Sequence, residues 1–200
     1  MSADFEGNDD PDTQYGDYTT MHGYGGVDLL GSSAIFARIY GGKDGDLLSY
    51  YGPGTSKLYG EAGDDALYGG NQNDKMYGGG GGDWLFGGLG KNVMWGGGGK
   101  DHFGFDGLPD AWLDKIKDFN VKKDFLNFDS SVYAVGEHAA TLLKSQFRYG
   151  SKAKDEDDNF GYDKKTGIVW FDPDGKGGAA KVDVVKLDKD LHLTHVNIQF

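Results

Sequence analysis

Apolar residues recur at every ninth position along residues 60–104, which divide into five consecutive nonapeptides: GEAGDDALY, GGNQNDKMY, GGGGGDWLF, GGLGKNVMW and GGGGKDHFG. The first six residues of each are rich in glycine and polar side chains, which is typical of a turn, and the last three predict a short strand. The eighth residue is apolar in every copy, and we expect it to face inward. These residues are Leu67, Met76, Leu85, Met94 and Phe103.

The same phase continues towards the amino terminus, with one extra residue at Tyr50. Its inward positions are Met21, Leu30, Ile39, Leu48 and Leu58. Two nonapeptides would make one circuit of a flattened coil, with two parallel sheets facing each other across these side chains. We therefore predict a parallel β-roll over residues 14–104. Residues 1–13 carry five acids and no base, which predicts an acidic flexible arm.

Residues 105–200 lack the glycine turns and are predicted to cap the roll, because an open end would expose apolar side chains and unpaired strand edges. WLDKIKDF and FLNF continue the strand pattern, and a short helix is expected around 139–147. FGYD and GIVWFD predict a hairpin, and KVDVVKL and HVNIQF two more strands. The predicted fold class is all-β, with a parallel β-roll of nonapeptide repeats followed by a mostly antiparallel β capping region.

The sixth residue of each nonapeptide indicates the chemistry of the roll. Because successive turns lie on alternating edges, this column of residues divides into two rows. One row has an aspartate at every step: Asp28, Asp46, Asp65, Asp83 and Asp101. The other row is Thr19, Ala37, Ser56, Asp74 and Asn92.

Neighbouring carboxylates in the first row would lie about 4.8 Å apart and would repel by a few kcal/mol at an effective dielectric of about 20. A hard cation with several oxygen ligands would relieve this repulsion, and calcium suits the site better than magnesium. We expect about four Ca²⁺ ions in the gaps of this row, and a fifth between Asp74 and Asn92. Glycine and aspartate could instead be simple turn residues, but five aspartates spaced by 18 or 19 residues favour calcium.

The repeats resemble G-G-x-G-x-D-x-U-x, the calcium-binding repeat of RTX (repeats-in-toxin) proteins. Residues 105–200 resemble the carboxy-terminal segment that follows the repeats in many of them. This resemblance implies export of the unfolded chain by a type I secretion apparatus, through an uncleaved signal at the carboxy terminus, and therefore a secreted, extracellular location. The tail residues are compatible with such a signal: Leu191, Leu193, Val196, Ile198 and Phe200.

The resemblance leaves two functions open. The chain could be a secreted calcium-binding protein with a structural, adhesive or surface-interaction role, or the secretion and folding module of an exported protease, lipase or polysaccharide-modifying enzyme. The initial methionine and the short segment before the roll favour the first. Asp118 lies where related proteins often close the last site, which makes it a candidate calcium ligand, with a surface acid as the alternative. Asp172 and Asp174 in FDPDGKGG are further candidate calcium ligands, with a hairpin turn as the alternative.

Composition narrows the range of partners. The net charge is −12 with no basic block, which argues against nucleic acid or an anionic membrane surface. There is no cysteine for a disulfide, no apolar stretch long enough for a transmembrane helix, and no histidine motif that would indicate an enzyme. Aromatic residues at position nine predict either a sugar-binding surface, with an extracellular polysaccharide or cell-surface component as partner, or packing against neighbouring aromatics or the cap. They are Tyr59, Tyr68, Tyr77, Phe86 and Trp95.

Overall fold

The computed structural model describes residues 3–107, 112–133 and 141–200, which form two sheets of eleven and eight strands. The first sheet contains β1 (Ala3–Asn8), β3 (Tyr18–Tyr24), β5 (Phe36–Lys43), β7 (Thr55–Ala62), β9 (Lys75–Gly80), β11 (Val93–Gly98) and β13 (Asp114–Ile116). The second sheet contains β2 (Thr13–Gly16), β4 (Leu29–Ser32), β6 (Leu47–Tyr50), β8 (Ala66–Tyr68), β10 (Trp84–Phe86), β12 (His102–Phe105) and β14 (Phe125–Phe128).

Successive strands alternate between the two sheets, and each pairs in parallel with the strand two further along the chain. Leu58 in β7 lies opposite Met76 in β9, and Leu67 in β8 lies opposite Leu85 in β10. Each pair is separated by one circuit of two nonapeptides. This pairing confirms the parallel β-roll.

The core is the space between the two sheets. All ten residues predicted to face inward, from Met21 to Phe103, have no solvent-exposed surface. Ile116 in β13 and Leu126 in β14 continue the same file and are equally buried. The burial of the ten residues confirms the predicted core positions. One apolar residue per short strand suffices to fill the narrow interior.

The amino-terminal segment differs from the predicted flexible arm. Residues 3–8 form β1, which pairs in parallel with β3 and places Phe5 opposite Met21. Residues 13–16 form β2, which pairs with β4. The acids of β1 are exposed, whereas Phe5 packs against the core. A strand with one inward apolar residue and acids on either side resembles a disordered acidic segment in sequence.

The cap combines parallel and antiparallel strands. It adds β15 (Phe147–Tyr149), β16 (Phe160–Asp163), β17 (Ile168–Phe171) and β18 (Val182–Lys186) to the first sheet and β19 (Ile198–Gln199) to the second. The predicted hairpin is β16–β17, and antiparallel pairing extends to β17–β18, while β13–β18, β14–β19 and β15–β16 are parallel.

Two short 3₁₀ turns lie in the cap. In place of the predicted helix, the described part of 139–147 contains a 3₁₀ turn at Lys144–Gln146, and residues 139–140 lie outside the described residues. A second 3₁₀ turn, His195–Asn197, leads into β19, so the last predicted strand is shorter than expected. Within the described ranges, no helix has the length and apolar character that crossing a membrane requires.

Candidate metal-binding edges of the roll

The predicted row of aspartates lies along one edge of the roll, where each member immediately precedes a strand of the second sheet. We call this the aspartate edge. Its predicted members, Asp28, Asp46, Asp65, Asp83 and Asp101, are all at most 3% exposed. The fold therefore brings all five predicted residues together in a single buried file.

A ladder of hydrogen bonds orients these carboxylates. The backbone N–H of Asp28 donates to Oδ1 of Asp46 at 2.8 Å, and that of Asp46 donates to Oδ1 of Asp65 at 2.7 Å. The same bond links Asp65 to Asp83 at 2.9 Å and Asp83 to Asp101 at 3.1 Å. Each carboxylate is thus fixed by the backbone of the preceding coil, with one oxygen satisfied.

The second carboxylate oxygen has no partner within the described residues. This holds for Oδ2 of Asp28, Asp46, Asp65, Asp83 and Asp101. The ion pairs among the described residues, Arg148–Asp158 and Lys181–Asp183, lie in the cap and do not neutralise the edge. A buried carboxylate oxygen without a hydrogen bond or a countercharge is costly, so this edge is incomplete without a positive partner.

Glycine at the first position of each nonapeptide leaves space beside these oxygens. A Cβ at Gly60 would lie 2.3 Å from Oδ2 of Asp65 and 2.5 Å from the carbonyl oxygen of Gly78 in the next coil. A Cβ at Gly78 would lie 2.3 Å from Oδ2 of Asp83 and 2.6 Å from the carbonyl oxygen of Gly96. Carboxylate and carbonyl oxygens from two coils therefore face the same small space, which is the ligand set that calcium prefers.

Burial disfavours the ionised form of these carboxylates when no cation is bound. The pKa of Asp65 is raised to about 7 and those of Asp46 and Asp83 to about 6, mainly by burial. The negative charges of neighbouring aspartates contribute to this increase, whereas the ladder bonds from backbone N–H groups oppose it. A bound cation would reverse the balance, because it stabilises the charged form.

The row is longer than predicted. Asp124 precedes β14, is 3% exposed, and accepts the N–H of Asp101 through Oδ1 at 3.2 Å. At the other end, the N–H of Asp12 donates to Oδ1 of Asp28 at 2.8 Å. The regular spacing misses both, because 23 residues separate Asp101 from Asp124 and 16 separate Asp12 from Asp28. An aspartate directly before a strand with an inward apolar residue at its second position is the signal that finds Asp124.

The second edge carries the same ladder with less charge. The N–H of Ser56 donates to Oδ1 of Asp74 at 2.5 Å, that of Asp74 to Oδ1 of Asn92 at 2.9 Å, and that of Asn92 to Oδ1 of Asp114 at 2.7 Å. Oδ2 of Asp74 has no partner within the described residues, whereas Nδ2 of Asn92 donates to the carbonyl of Gly88 at 3.5 Å. The predicted pair Asp74 and Asn92 is therefore adjacent, and Asp114 is a member that the sequence did not predict.

Asp118 lies at the carboxy-terminal end of the aspartate edge. Its two oxygens accept the N–H groups of Gly96 and Gly97, each at 3.0 Å. After burial itself, the charge of Asp118 is the main cause that raises the pKa of Asp101. Asp118 therefore lies beside Gly96, the glycine whose Cβ position is 2.4 Å from Oδ2 of Asp101.

Asp172 and Asp174 lie on the loop after β17 and not on either edge. Asp172 is 6% exposed and its Oδ1 has no partner within the described residues. Oδ2 of Asp174 accepts the N–H groups of Gly178 and Ala179 at 2.8 and 3.1 Å, as in a tight turn. No three histidine or acidic side chains of the described residues converge on one point, so a metal site here or on the edges would need ligands in addition to these side chains.

The aromatic residues at position nine pack on one another. Tyr59, Tyr77 and Trp95 stack along the first sheet with ring centroids 4.8 and 4.4 Å apart, and Tyr68 stacks on Phe86 along the second sheet at 4.9 Å. Each ring covers the face of the next. Packing against neighbouring aromatics is therefore the arrangement observed for these rings.

Comparison with known proteins agrees with this geometry. Residues 50–85 and 77–107 match the family model described as RTX calcium-binding nonapeptide repeat (4 copies). A search of curated proteins finds no match. Residues 50–107 therefore carry nonapeptide repeats of the RTX type, which is a structural motif that binds calcium.

Proposed function

We propose that this is a secreted RTX protein whose roll folds when its aspartate edge binds extracellular calcium. The observation that carries the proposal is the file of buried Oδ2 atoms without partners. For Asp28, Asp46, Asp65 and Asp83, a glycine carbonyl of the next coil lies at the same space as Oδ2, so one ion per gap would collect oxygens from two coils. Inside the cell, where calcium is scarce, the chain would stay unfolded and suited to a type I secretion apparatus.

The ions are proposed to occupy the four predicted gaps, 28/46, 46/65, 65/83 and 83/101. Asp124 adds a fifth gap on this edge, and Asp118 supplies a further carboxylate there. On the second edge, we propose a single ion between Asp74 and Asn92. Asp74 contributes a carboxylate oxygen without a hydrogen-bond partner among the described residues, whereas Asn92 carries no charge. When bound, calcium supplies only positive charge, and the carboxylates and carbonyls hold it in place.

The energetic case rests on the composition of the roll. A chain with 36 glycines loses much conformational entropy on folding, and one apolar residue per strand offers little core to offset that loss. An ion that binds only the folded form contributes about 2.7 kcal/mol at a hundredfold excess over its dissociation constant. Four such ions contribute about 11 kcal/mol, which is comparable with the stability of a whole domain. Extracellular calcium modules bind at about 10⁻⁴ to 10⁻³ M, and we expect the transition in this range.

A calcium titration followed by circular dichroism and calorimetry tests the proposal. We expect a cooperative gain of β structure with several ions bound, and magnesium should not replace calcium. Asp83→Ala should weaken the transition, whereas Asp157→Ala, at an exposed acid of the cap, should leave it unchanged. A protein that is fully folded in chelator and binds no calcium would refute the proposal.

A further inference from the structure

Basic side chains form a single file on the outer face of the first sheet. The parallel register places Arg38 opposite Lys57 and Lys57 opposite Lys75. The next strand carries Val93 at this position, and the file then continues. We call this file the basic column: Arg38, Lys57, Lys75, Lys115 and Lys186. Because paired strands lie about 4.8 Å apart, it offers one cation at almost every strand.

No ion pair among the described residues neutralises the basic column. Both ion pairs of the described residues lie in the cap and involve none of its members. The neighbouring ammonium of Lys117, and more weakly that of Lys186, lowers the pKa of Lys115, with only a smaller opposing effect of Asp188. Like charges thus accumulate on one face of a chain whose net charge is −12. Such a concentration of unpaired cations favours an anionic partner.

A stack of aromatic rings runs beside the basic column. Its members are His22, Tyr40, Tyr59, Tyr77 and Trp95, with ring centroids 4.4 to 4.8 Å apart and planes within 10°. Since the ring faces cover each other, the accessible parts of these half-buried rings are their edges. The hydroxyl groups of the three tyrosines form no hydrogen bond with any described residue, so they can donate to and accept from a ligand.

A groove lies along the amino-terminal half of the basic column. It has a volume of about 310 Å³ and is lined by Arg38, Lys57 and Lys75 together with polar residues that include the exposed Thr55 and Asn73. Cations, hydroxyl groups and an amide therefore share one elongated surface. This combination can pair with carboxylates and with sugar hydroxyls at the same time.

We propose that this face binds a linear polysaccharide that carries carboxylate groups, with the carboxylates on the basic column and the sugar hydroxyls along the tyrosine edges. Single-stranded nucleic acid is disfavoured because its bases stack on open aromatic faces, and these faces are covered. An anionic bilayer would meet the face as a plane, whereas the cations form a single file. The proposal is independent of how many calcium ions the edges hold.

Titration calorimetry of the calcium-loaded full chain with oligogalacturonate tests this assignment. The variant Lys57→Gln/Lys75→Gln should bind about tenfold more weakly than wild type, because two central cations are lost. The matched variant Lys165→Gln/Lys189→Gln removes the same charge from exposed lysines of the cap and should bind as wild type does. Both variants keep the aspartate edge intact. A loss of affinity in the first variant alone would therefore exclude binding of the polysaccharide through calcium ions on that edge.

A second variant separates the face from general charge effects. Tyr59→Phe/Tyr77→Phe keeps the ring stack and removes two hydroxyl groups, so it should stay folded by circular dichroism and bind a few-fold more weakly. The proposal is overturned if wild type does not bind oligogalacturonate, if both lysine variants lose affinity equally, or if a neutral maltooligosaccharide binds as well. Tighter binding of oligothymidylate or of phosphatidylglycerol vesicles would overturn it in favour of those partners.

Discussion

The two edges of the roll share one backbone ladder and differ in charge. On the second edge, Asn92 accepts the N–H of Asp74 at 2.9 Å, the same length as the bond from Asp65 to Asp83 on the aspartate edge. An asparagine therefore performs the turn function of the sixth position as well as an aspartate does. The additional negative charge of the aspartates is not needed for the turn. Its repetition along one edge, with Oδ2 left without a partner, indicates a cation rather than turn chemistry.

Replacing aspartates of the aspartate edge by asparagine, as found on the second edge, should produce the largest change in stability. Asp65→Asn/Asp83→Asn keeps the acceptors of the ladder and removes two charges that border three gaps. In excess calcium we expect a loss of about 8 kcal/mol, from about 2.7 kcal/mol for each of three ions. In chelator the same variant should be more stable than wild type, because two buried unpaired charges are gone. Calorimetry in calcium and the folded fraction by circular dichroism in chelator measure the two signs, and a loss of folded protein in both conditions would contradict the comparison.

Filling the space beside one carboxylate should have the next largest effect. The Cβ of Gly78→Ala would meet both Oδ2 of Asp83 and the carbonyl of Gly96. We expect the loss of one ion and about 3 kcal/mol in calcium. Gly80→Ala is the matched control, since a Cβ there has nothing within 4 Å and neither glycine has a positive φ. Ion counting by calorimetry should distinguish them, and an equal effect of both would refute a ligand space at Gly78.

Stability without calcium should fall as the pH rises. The folded-state pKa values of Asp65 and Asp74 are raised to about 7, and those of Asp46 and Asp83 to about 6. The folded chain therefore holds protons that the unfolded chain releases, and its stability declines from about pH 4 to about pH 7. In calcium the trend reverses, because protons compete with the ion. The folded fraction in chelator, measured by circular dichroism across this range, should fall as the pH rises, and a larger folded fraction at alkaline pH would contradict the sign.

The sequence predicts the regular part of the fold and of the edges. A fixed period assigns the inward residues and the five aspartates because every coil repeats the same geometry, and all of them lie where expected. Asp12, Asp114 and Asp124 were missed because the turns at both ends of the roll differ in length, and only pairing between strands shows that they continue the ladders.

The basic column shows the limit of composition as a guide. Consecutive members are separated by up to 71 residues, and the net charge of −12 suggests no cationic surface. The sequence pattern that could have predicted the column is a basic residue at the seventh position of alternate nonapeptides, as at Arg38, Lys57 and Lys75. Only the parallel register, which alternates the repeats between two sheets, brings them onto one face.

The smallest expected change in stability comes from adding a charge to the second edge. Asn92→Asp would place a second carboxylate beside Asp74, whose Oδ2 is already without a partner, and next to Asp114 on the ladder. In chelator this added buried charge should cost about 1 to 3 kcal/mol. In calcium the second edge should bind more tightly or take one more ion, which would recover that loss. Since Oδ1 can still accept the N–H of Asp74, any change in calcium stoichiometry measures the charge and not the turn. If the variant is destabilised equally with and without calcium, the second edge lacks the carbonyl ligands that the aspartate edge provides, and the difference between the edges lies in the backbone as well as in the charge.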